Sequence, residues 1–554
     1  MEATAVDQER RSGDDPVGAV ASETEVAATD GGDGGLRGWW RTAVVVGVVV
    51  AVAAGLVLRF STRSALWLDE ALTVDIARQP LSHLHALLRR DGAPPLYYVL
   101  LHFWIAVFGT SRLAVRSLSG VLSVATLPIA WVAARRYAGR YAAWAVVVLL
   151  ATAPFAVYYA TESRMYALVM FLTACGFVAV GRAEERPRPG NLIAVAVVTA
   201  ALLYTQYWSL YLIGALGVWF VWQAWRGDEA GRRAARWLIG AVLVGVLAFV
   251  PWVPTFVFQS RHTGTPWAMA PNFAALVNAV TGFTNNQGTA TQTASDQGRL
   301  LSLIYLVVAG LALFGVARDR WHILLDLRTR PKARGLSFVV FVALVAAIGG
   351  AIATSSAFSP RYAAIVFVPF IILVGFGTLA FADVKLRTAI LAVAAVAGLG
   401  VAVENVWTQR TQATMVASVI ATHARPGDLV AYCPDQLGPS VYRLLPGGEF
   451  QQVTFPRRTS PEFVNWVDYK AAVQAADPTA FAHHLQQRAG SHNIWLAWAP
   501  NYEPFGTRCE QLATTLLDTP GWGGHQWVYL EPKHYYEPME LTQFAPLPAA
   551  ASGR

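Results

Sequence analysis

Apolar runs long enough to cross a hydrocarbon core of ~30 Å recur along the first 400 residues. The first is "TAVVVGVVVAVAAGLVLRF" (Thr42–Phe60), and short arginine-rich stretches separate those that follow. A chain of this kind has few solutions, because backbone groups in lipid must be satisfied within each spanning segment. Continuous runs, rather than alternating ones, point to helices. Composition agrees: 55% of the 554 residues are hydrophobic and only 14% charged. The expected fold class is a polytopic α-helical membrane protein.

The arginines set the threading. They concentrate at 135–140, 182–190, 226–236, 318–334 and 385–387. If all five are cytoplasmic, as the positive-inside rule requires, about eleven transmembrane helices follow. These fall near 42–59, 113–134, 142–158, 164–181, 191–205, 208–225, 237–256, 300–317, 336–356, 362–382 and 387–404. The net charge of +8 is then a property of loops that orient helices, and no nucleic-acid partner is expected. The segment "PPLYYVLLHFWIAVFG" (94–109) is short for a span and opens on two prolines, so it is expected as an interfacial helix on the outer side.

Three regions result. Residues 1–36, acidic and rich in Gly, Ala and Ser, read as a disordered cytoplasmic tail. Residues 37–404 form the transmembrane domain, with outer loops at 60–112, 159–163, 257–299 and 356–362. Residues 405–554 mix helical stretches with β-rich runs such as "DLVAYC" and "NIWLAW", an expected extracytoplasmic α/β domain. Cys433 and Cys509 both fall in that domain, and a disulfide between them suits an oxidising compartment.

Under this threading, ionisable residues from distant loops meet one membrane face. They are Asp69, Glu70, Asp75 and Asp91 in the first outer loop, Glu162 and Arg164 in the second, and Arg361 with Tyr362 before the tenth helix. Such groups at a membrane boundary are costly when desolvated, which favours a functional role. A structural reading stands beside it. Asp69 and Glu70 also suit the first turn of the amphipathic helix "DEALTVDIARQ", and Glu162 and Arg164 suit a local ion pair. His83, His85 and His102 lie near these acids without the spacing of a metal motif. No Walker loop and no Ser/His nucleophile signature is placed where it could act, so no nucleotide cofactor is expected and an activated substrate must arrive on a lipid.

Four stretches in order carry a resemblance: "LWLDEA" (66–71), "DGAPPLYYVLLHFWIAVFG" followed by "RLAVRSLSG" (91–120), "YYATESRMYAL" (158–168) and "SPRY" (359–362). Together they resemble the ordered motifs of the GT-C membrane glycosyltransferases. The nearest group holds protein-O-mannosyltransferase-like, aminoarabinose-transferase-like and Rgt-type enzymes, including actinobacterial ones, and the match covers roughly 40–380. The resemblance implies that Asp69 is the catalytic base, with Glu70 the acid beside it. Asp91, Tyr97, Tyr98, Glu162, Arg164, Tyr166, Arg361 and Tyr362 become candidate substrate contacts. Arg361 falls where a cation holds the donor phosphate, and Asp69 and Glu162 are the candidate ligands of a divalent metal ion. Relatives commonly carry His or Lys before the paired prolines, where this chain has Ala93.

The implied reaction is inverting transfer of a sugar, mannose or arabinose, from a polyprenyl-phosphate donor to a cell-envelope glycan, glycolipid or secreted protein. It would occur at the outer face of the plasma membrane, among membrane lipids. A transporter or flippase is the competing class, but those folds place charges near the midplane within inverted repeats. In the outer domain, Trp495, Trp498, Tyr502, Trp522 and Trp527 are candidates for stacking on sugars or, more economically, for core packing.

Overall fold

The computed structural model describes residues 34–264, 271–272, 274–285 and 295–547. The tail expected over 1–36 lies outside them except at 34–36, where the first helix, Gly34–Leu58, begins. Among the described residues eight helices are long and apolar enough to cross a membrane, against the eleven spans expected. The difference has physical sources. Two expected spans fall within Arg112–Thr152, which is two helices broken at Gly139, whose φ of 85° lies in the left-handed region that glycine tolerates. Pro189–Thr205 has only 17 residues, and Ser209–Arg226 mixes its apolar face with Gln223 and Arg226.

Helix ends are fixed by ordinary chemistry. Ser111 caps Arg112–Thr152, Asp228 caps Glu229–Leu247 and Asp383 caps Val384–Trp407, each accepting amides of the first turn. The Pro360–Ala380 segment is buried along nearly its whole length, packed between Arg112–Thr152, Tyr166–Glu185, Asp296–Phe314 and Pro331–Ala353. It is the axis of the bundle, and it delivers Arg361 to the bundle's edge. Leu96–Phe108 spans only about 20 Å at 1.5 Å per residue, less than a bilayer core. Its Tyr97, Tyr98 and Leu101 are buried, while Phe103, Val107 and Phe108 are exposed.

Two short strands, β1 (Gly315–Ala317) and β2 (Ile323–Leu325), make a hairpin within the 318–334 region. The C-terminal region holds a five-stranded sheet of β3 (Leu429–Cys433), β4 (Gln451–Thr454), β5 (Ile494–Trp498), β6 (Trp522–Val528) and β7 (Glu540–Pro546). The order is β4-β3-β5-β7-β6, with β4, β3 and β5 parallel and the last two strands antiparallel. Strand alternation sorts β3 between two cores. Val430 and Tyr432 pack with the Ala413–His423 helix, whereas Leu429, Ala431 and Cys433 face Pro478–Ala489 and Arg508–Asp518. Cys433 and Cys509 are joined on that second face.

The second core does not stop at residue 405. Trp67, Leu68, Leu72, Ile76, Leu84, Leu88 and Tyr98 of the first outer loop belong to it. An apolar loop left in water would be costly; here the α/β domain covers it. The expected boundary near 404 therefore marks a change of architecture within one compact unit, 47–554.

Candidate functional site

The first outer loop folds into Leu68–Ala77, Leu81–Asp91 and Leu96–Phe108. Asp69 and Glu70 both lie in the first turn of Leu68–Ala77, where the helix dipole favours acids. Successive helical positions diverge by about 100°, and the two carboxylates reach different surroundings.

Glu70 points inward and is fully buried. Arg116 grips it through two bonds, Nε to Oε1 at 2.7 Å and Nη2 to Oε2 at 2.5 Å. The Ser163 amide donates to Oε1 at 2.9 Å, and Arg410 lies 3.7 Å from Oε2. Burial pushes this carboxyl up, but Arg116, Arg410 and the Ser163 amide together hold it below its ordinary value. The sequence expectation that Glu70 is catalytic is corrected: no oxygen is left for a substrate. Arg116 also donates to the Ser64 and Ala65 carbonyls, so this pair ties the first outer loop to the start of the Arg112–Thr152 helix.

Asp69 points into a cavity of about 190 Å³. Its side chain is 17% exposed, with Arg361 Nη1 at 3.1 Å and Arg164 Nη2 at 3.8 Å from Oδ2. The cavity is lined as well by Asp91, Tyr166, Tyr207, Trp208, Tyr362 and Trp466. Arg164 is held by Thr73 Oγ1 at 2.9 Å, and Tyr362 stacks on Trp208 with centroids 4.8 Å apart. Asp91 accepts from Tyr98 OH at 2.7 Å and from Trp466. Burial pushes its carboxyl up against the pull of Arg164. The Nε atoms of Arg164 and Arg361 are buried without a hydrogen-bond partner, so both guanidiniums retain donor capacity beside the cavity.

Of the candidate substrate contacts, Asp91, Arg164, Tyr166, Arg361 and Tyr362 meet at this cavity. Tyr97, Tyr98 and Glu162 do not line it. Tyr97 is core, its hydroxyl on Ser119 at 2.9 Å; Tyr98 supports Asp91. Glu162 lies behind the site, 1% exposed, with Oε2 unpartnered; burial pushes it up to about 7, against Arg410 and with help from Glu70 and Asp69. A metal fits these donors poorly. No cluster of three or more His, Cys, Asp or Glu suited to a metal exists among the described residues, and Asp69 already faces two guanidiniums.

Sequence reasoning missed Arg116, Arg410, Trp466 and Glu537. Arg116 stands within a recognised motif, and its helical register could have exposed it. Arg410 is fully buried, donates to Thr161 O and Oγ1, and lies 4.2 Å over the Tyr158 ring. It joins the two loops from beyond the last span, and nothing in "WTQRTQ" signals that. The five aromatics of the outer domain serve its core or its hydrogen bonding: Trp495 is buried against Asp428, Trp498 donates to Thr542, and Trp527 packs on Trp495.

A second, larger cavity of about 490 Å³ lies among the membrane helices, lined mainly by apolar residues such as Phe177, Leu212 and Val339. It carries none of the groups around Asp69.

Residues 92–254 match the family model described as dolichyl-phosphate-mannose-protein mannosyltransferase. A search of curated proteins by sequence returns no match. Among solved structures, ArnT from Cupriavidus metallidurans bound to undecaprenyl phosphate superposes with a TM-score of 0.58 at 14% identity, covering 91% of this chain and 98% of that one. The arabinofuranosyltransferase AftD from Mycobacteria gives a TM-score of 0.50 at 15% identity, over 91% of this chain and 40% of AftD. The ordered motifs, the cavity around Asp69 and these superpositions agree: this multi-pass membrane protein has the fold of the GT-C glycosyltransferases.

Proposed function

We propose that the chain is an inverting glycosyltransferase that moves a sugar, mannose or arabinose, from a polyprenyl-phosphate donor to an envelope acceptor at the outer membrane face. The observation that carries this reading is a partly exposed carboxylate, Asp69, set between two guanidiniums in an aromatic-lined cavity at the edge of the bundle.

The chemistry runs through these residues. The acceptor hydroxyl oxygen attacks the anomeric carbon and a new C–O bond forms. The bond from that carbon to the phosphate oxygen breaks, and its electron pair leaves with the polyprenyl phosphate. Asp69 takes the hydroxyl proton as general base. Arg361 and Arg164 receive the phosphate's negative charge. Without donor, Arg361 bonds Asp69; an incoming phosphate competes for that guanidinium and frees a carboxylate oxygen for the acceptor. Asp91 and the rings of Tyr362, Trp208 and Trp466 offer hydrogen-bonding and stacking partners to a sugar.

The test is transfer of labelled sugar in membranes carrying the protein, with polyprenyl-phosphomannose and decaprenyl-phosphoarabinose offered separately. Transfer from one donor, lost in Asp69→Asn, supports the reaction and names the sugar. Equal transfer by wild type and Asp69→Asn removes Asp69 as the base. Translocation of a labelled lipid across the bilayer without any transfer would favour a flippase instead.

A further inference from the structure

The helix that carries Asp69 begins without a cap of its own. Its N-cap residue is Trp67, whose side chain makes no capping hydrogen bond to the free amides of the first turn. The acceptor comes from far along the chain: Glu537 Oε1 accepts the Leu68 amide at 3.0 Å, across a separation of 469 residues. The backbone of Glu537 is itself pinned. Its amide donates to Arg410 O at 2.8 Å, and its carbonyl accepts from Gln412 at 3.2 Å. Arg410 grips Thr161 and lies beside Glu70. Next door, the Tyr536 ring packs edge-on against Trp67, centroids 4.9 Å apart. The α/β domain thus reaches back and closes a strap over the start of the Leu68–Ala77 helix.

We infer that Glu537 is a positioning residue for sugar transfer, holding the first turn of this helix so that the Asp69 carboxylate faces the cavity. The inference rests on the reading of Asp69 as base. Two further observations support it. Glu537 is 6% exposed, and its carboxyl sits beside the Thr411 and Ser440 hydroxyls as well as the Leu68 amide, a set of partners gathered at the start of this helix. Burial pushes its carboxyl up to about 8, and Asp69 adds to the effect. A neutral carboxyl still accepts the Leu68 amide, so this cap does not depend on a negative charge.

The experiment compares Glu537→Ala and Glu537→Gln in the full-length protein reconstituted in nanodiscs. Sugar transfer is followed together with hydrogen exchange of the 67–72 amides. Displacement of a catalytic group by a fraction of an ångström to one ångström costs up to about a hundredfold in rate. Glu537→Ala is accordingly expected to lower kcat by roughly thirtyfold with donor KM within about twofold, and to speed exchange at 67–72. Glu537→Gln keeps a neutral acceptor oxygen and is expected to recover most of the rate and the protection. Wild-type kcat in Glu537→Ala, a loss confined to KM, or exchange accelerated across the whole 413–546 region would overturn the inference. If the wild type transfers sugar from neither donor, the proposed function falls. Exchange then decides alone: selective loss at 67–72 in the alanine variant, restored by glutamine, supports positioning of this turn, and unchanged exchange refutes it.

Discussion

Asp69 and Glu70 are chain neighbours, each facing two arginines, yet they stand in opposite regimes. Around Glu70 every bond is made: Arg116 holds both oxygens, the Ser163 amide adds a third contact, and water is excluded. Around Asp69 the partners are looser, at 3.1 and 3.8 Å, and all three side chains keep 13–17% of their surface exposed. A saturated buried ion pair specifies where loops go and resists substitution of either partner. A partly solvated one with donor capacity to spare can trade partners, as a site that binds phosphate must. One residue, about 100° of helix, separates the saturated carboxylate from the one that can exchange partners.

The sharpest way to break that contrast is to neutralise each acid in turn. Asp69→Asn should lower transfer by about a thousandfold, within the range for loss of a general base. Its thermal midpoint in detergent should barely move, because asparagine can still bond one guanidinium. Glu70→Gln should do the reverse. Leaving Arg116 and Arg410 buried without a counter-charge is expected to cost about 3 kcal/mol of stability, seen as a lower midpoint and a smaller folded fraction. Per folded molecule, donor KM should stay near wild type. If Glu70→Gln folds normally and is inactive, Glu70 belongs with the chemistry and the contrast fails.

Much of this was legible in the sequence for a reason. Apolar length and arginine placement reflect the bilayer, a solvent that acts on every residue alike, so the helical bundle could be read from local patterns, as could a sheet-containing C-terminal region. The disulfide between Cys433 and Cys509 was legible because both lie in the same C-terminal region. Asp69, Arg164 and Arg361, which the ordered motifs single out, meet at one cavity. What stayed hidden depends on distant contacts. Glu70 differs from Asp69 only by which side of a helix meets Arg116, and Arg410, Trp466 and Glu537 act across hundreds of residues. The shared core between the first outer loop and the α/β domain was invisible likewise, because amphipathicity shows that a face is covered and never by what.

Acidity offers a subtler test of what burial does near the site. Glu162, held up at about 7 by burial, is protonated in the folded state over a range where an unfolded glutamate is ionised. Its folded pKa is raised. Stability linked to it is therefore complete below about pH 4, the unfolded value, and is lost as pH climbs through about 7. Between pH 5 and 8 this single group should remove on the order of 2 kcal/mol. Thermal midpoints in detergent should fall across that interval in wild type, and fall less in Glu162→Gln. Glu537, held up at about 8, acts in the same direction, so the double variant with Glu537→Gln should flatten the profile further. An identical slope in all three proteins would show that neither carboxyl is buried as described.

The smallest expected effect sharpens the comparison most finely. Arg361→Lys keeps the positive charge but replaces a planar fork with a point donor. A lysine could still neutralise Asp69, so stability should hold. The two-handed exchange, in which one guanidinium edge releases Asp69 as another engages phosphate, would be lost. Donor KM should rise about tenfold while kcat falls less, and polyprenyl phosphate should weaken as a product inhibitor in parallel. The same change at Arg116 is the control. There the fork serves Glu70, through two bonds of 2.5–2.7 Å, and the Ser64 and Ala65 carbonyls, and Arg116→Lys should lower the thermal midpoint without moving product inhibition. If Arg361→Lys instead loses stability and keeps its KM, the pair at Asp69 is scaffold too, and the donor phosphate must be held elsewhere.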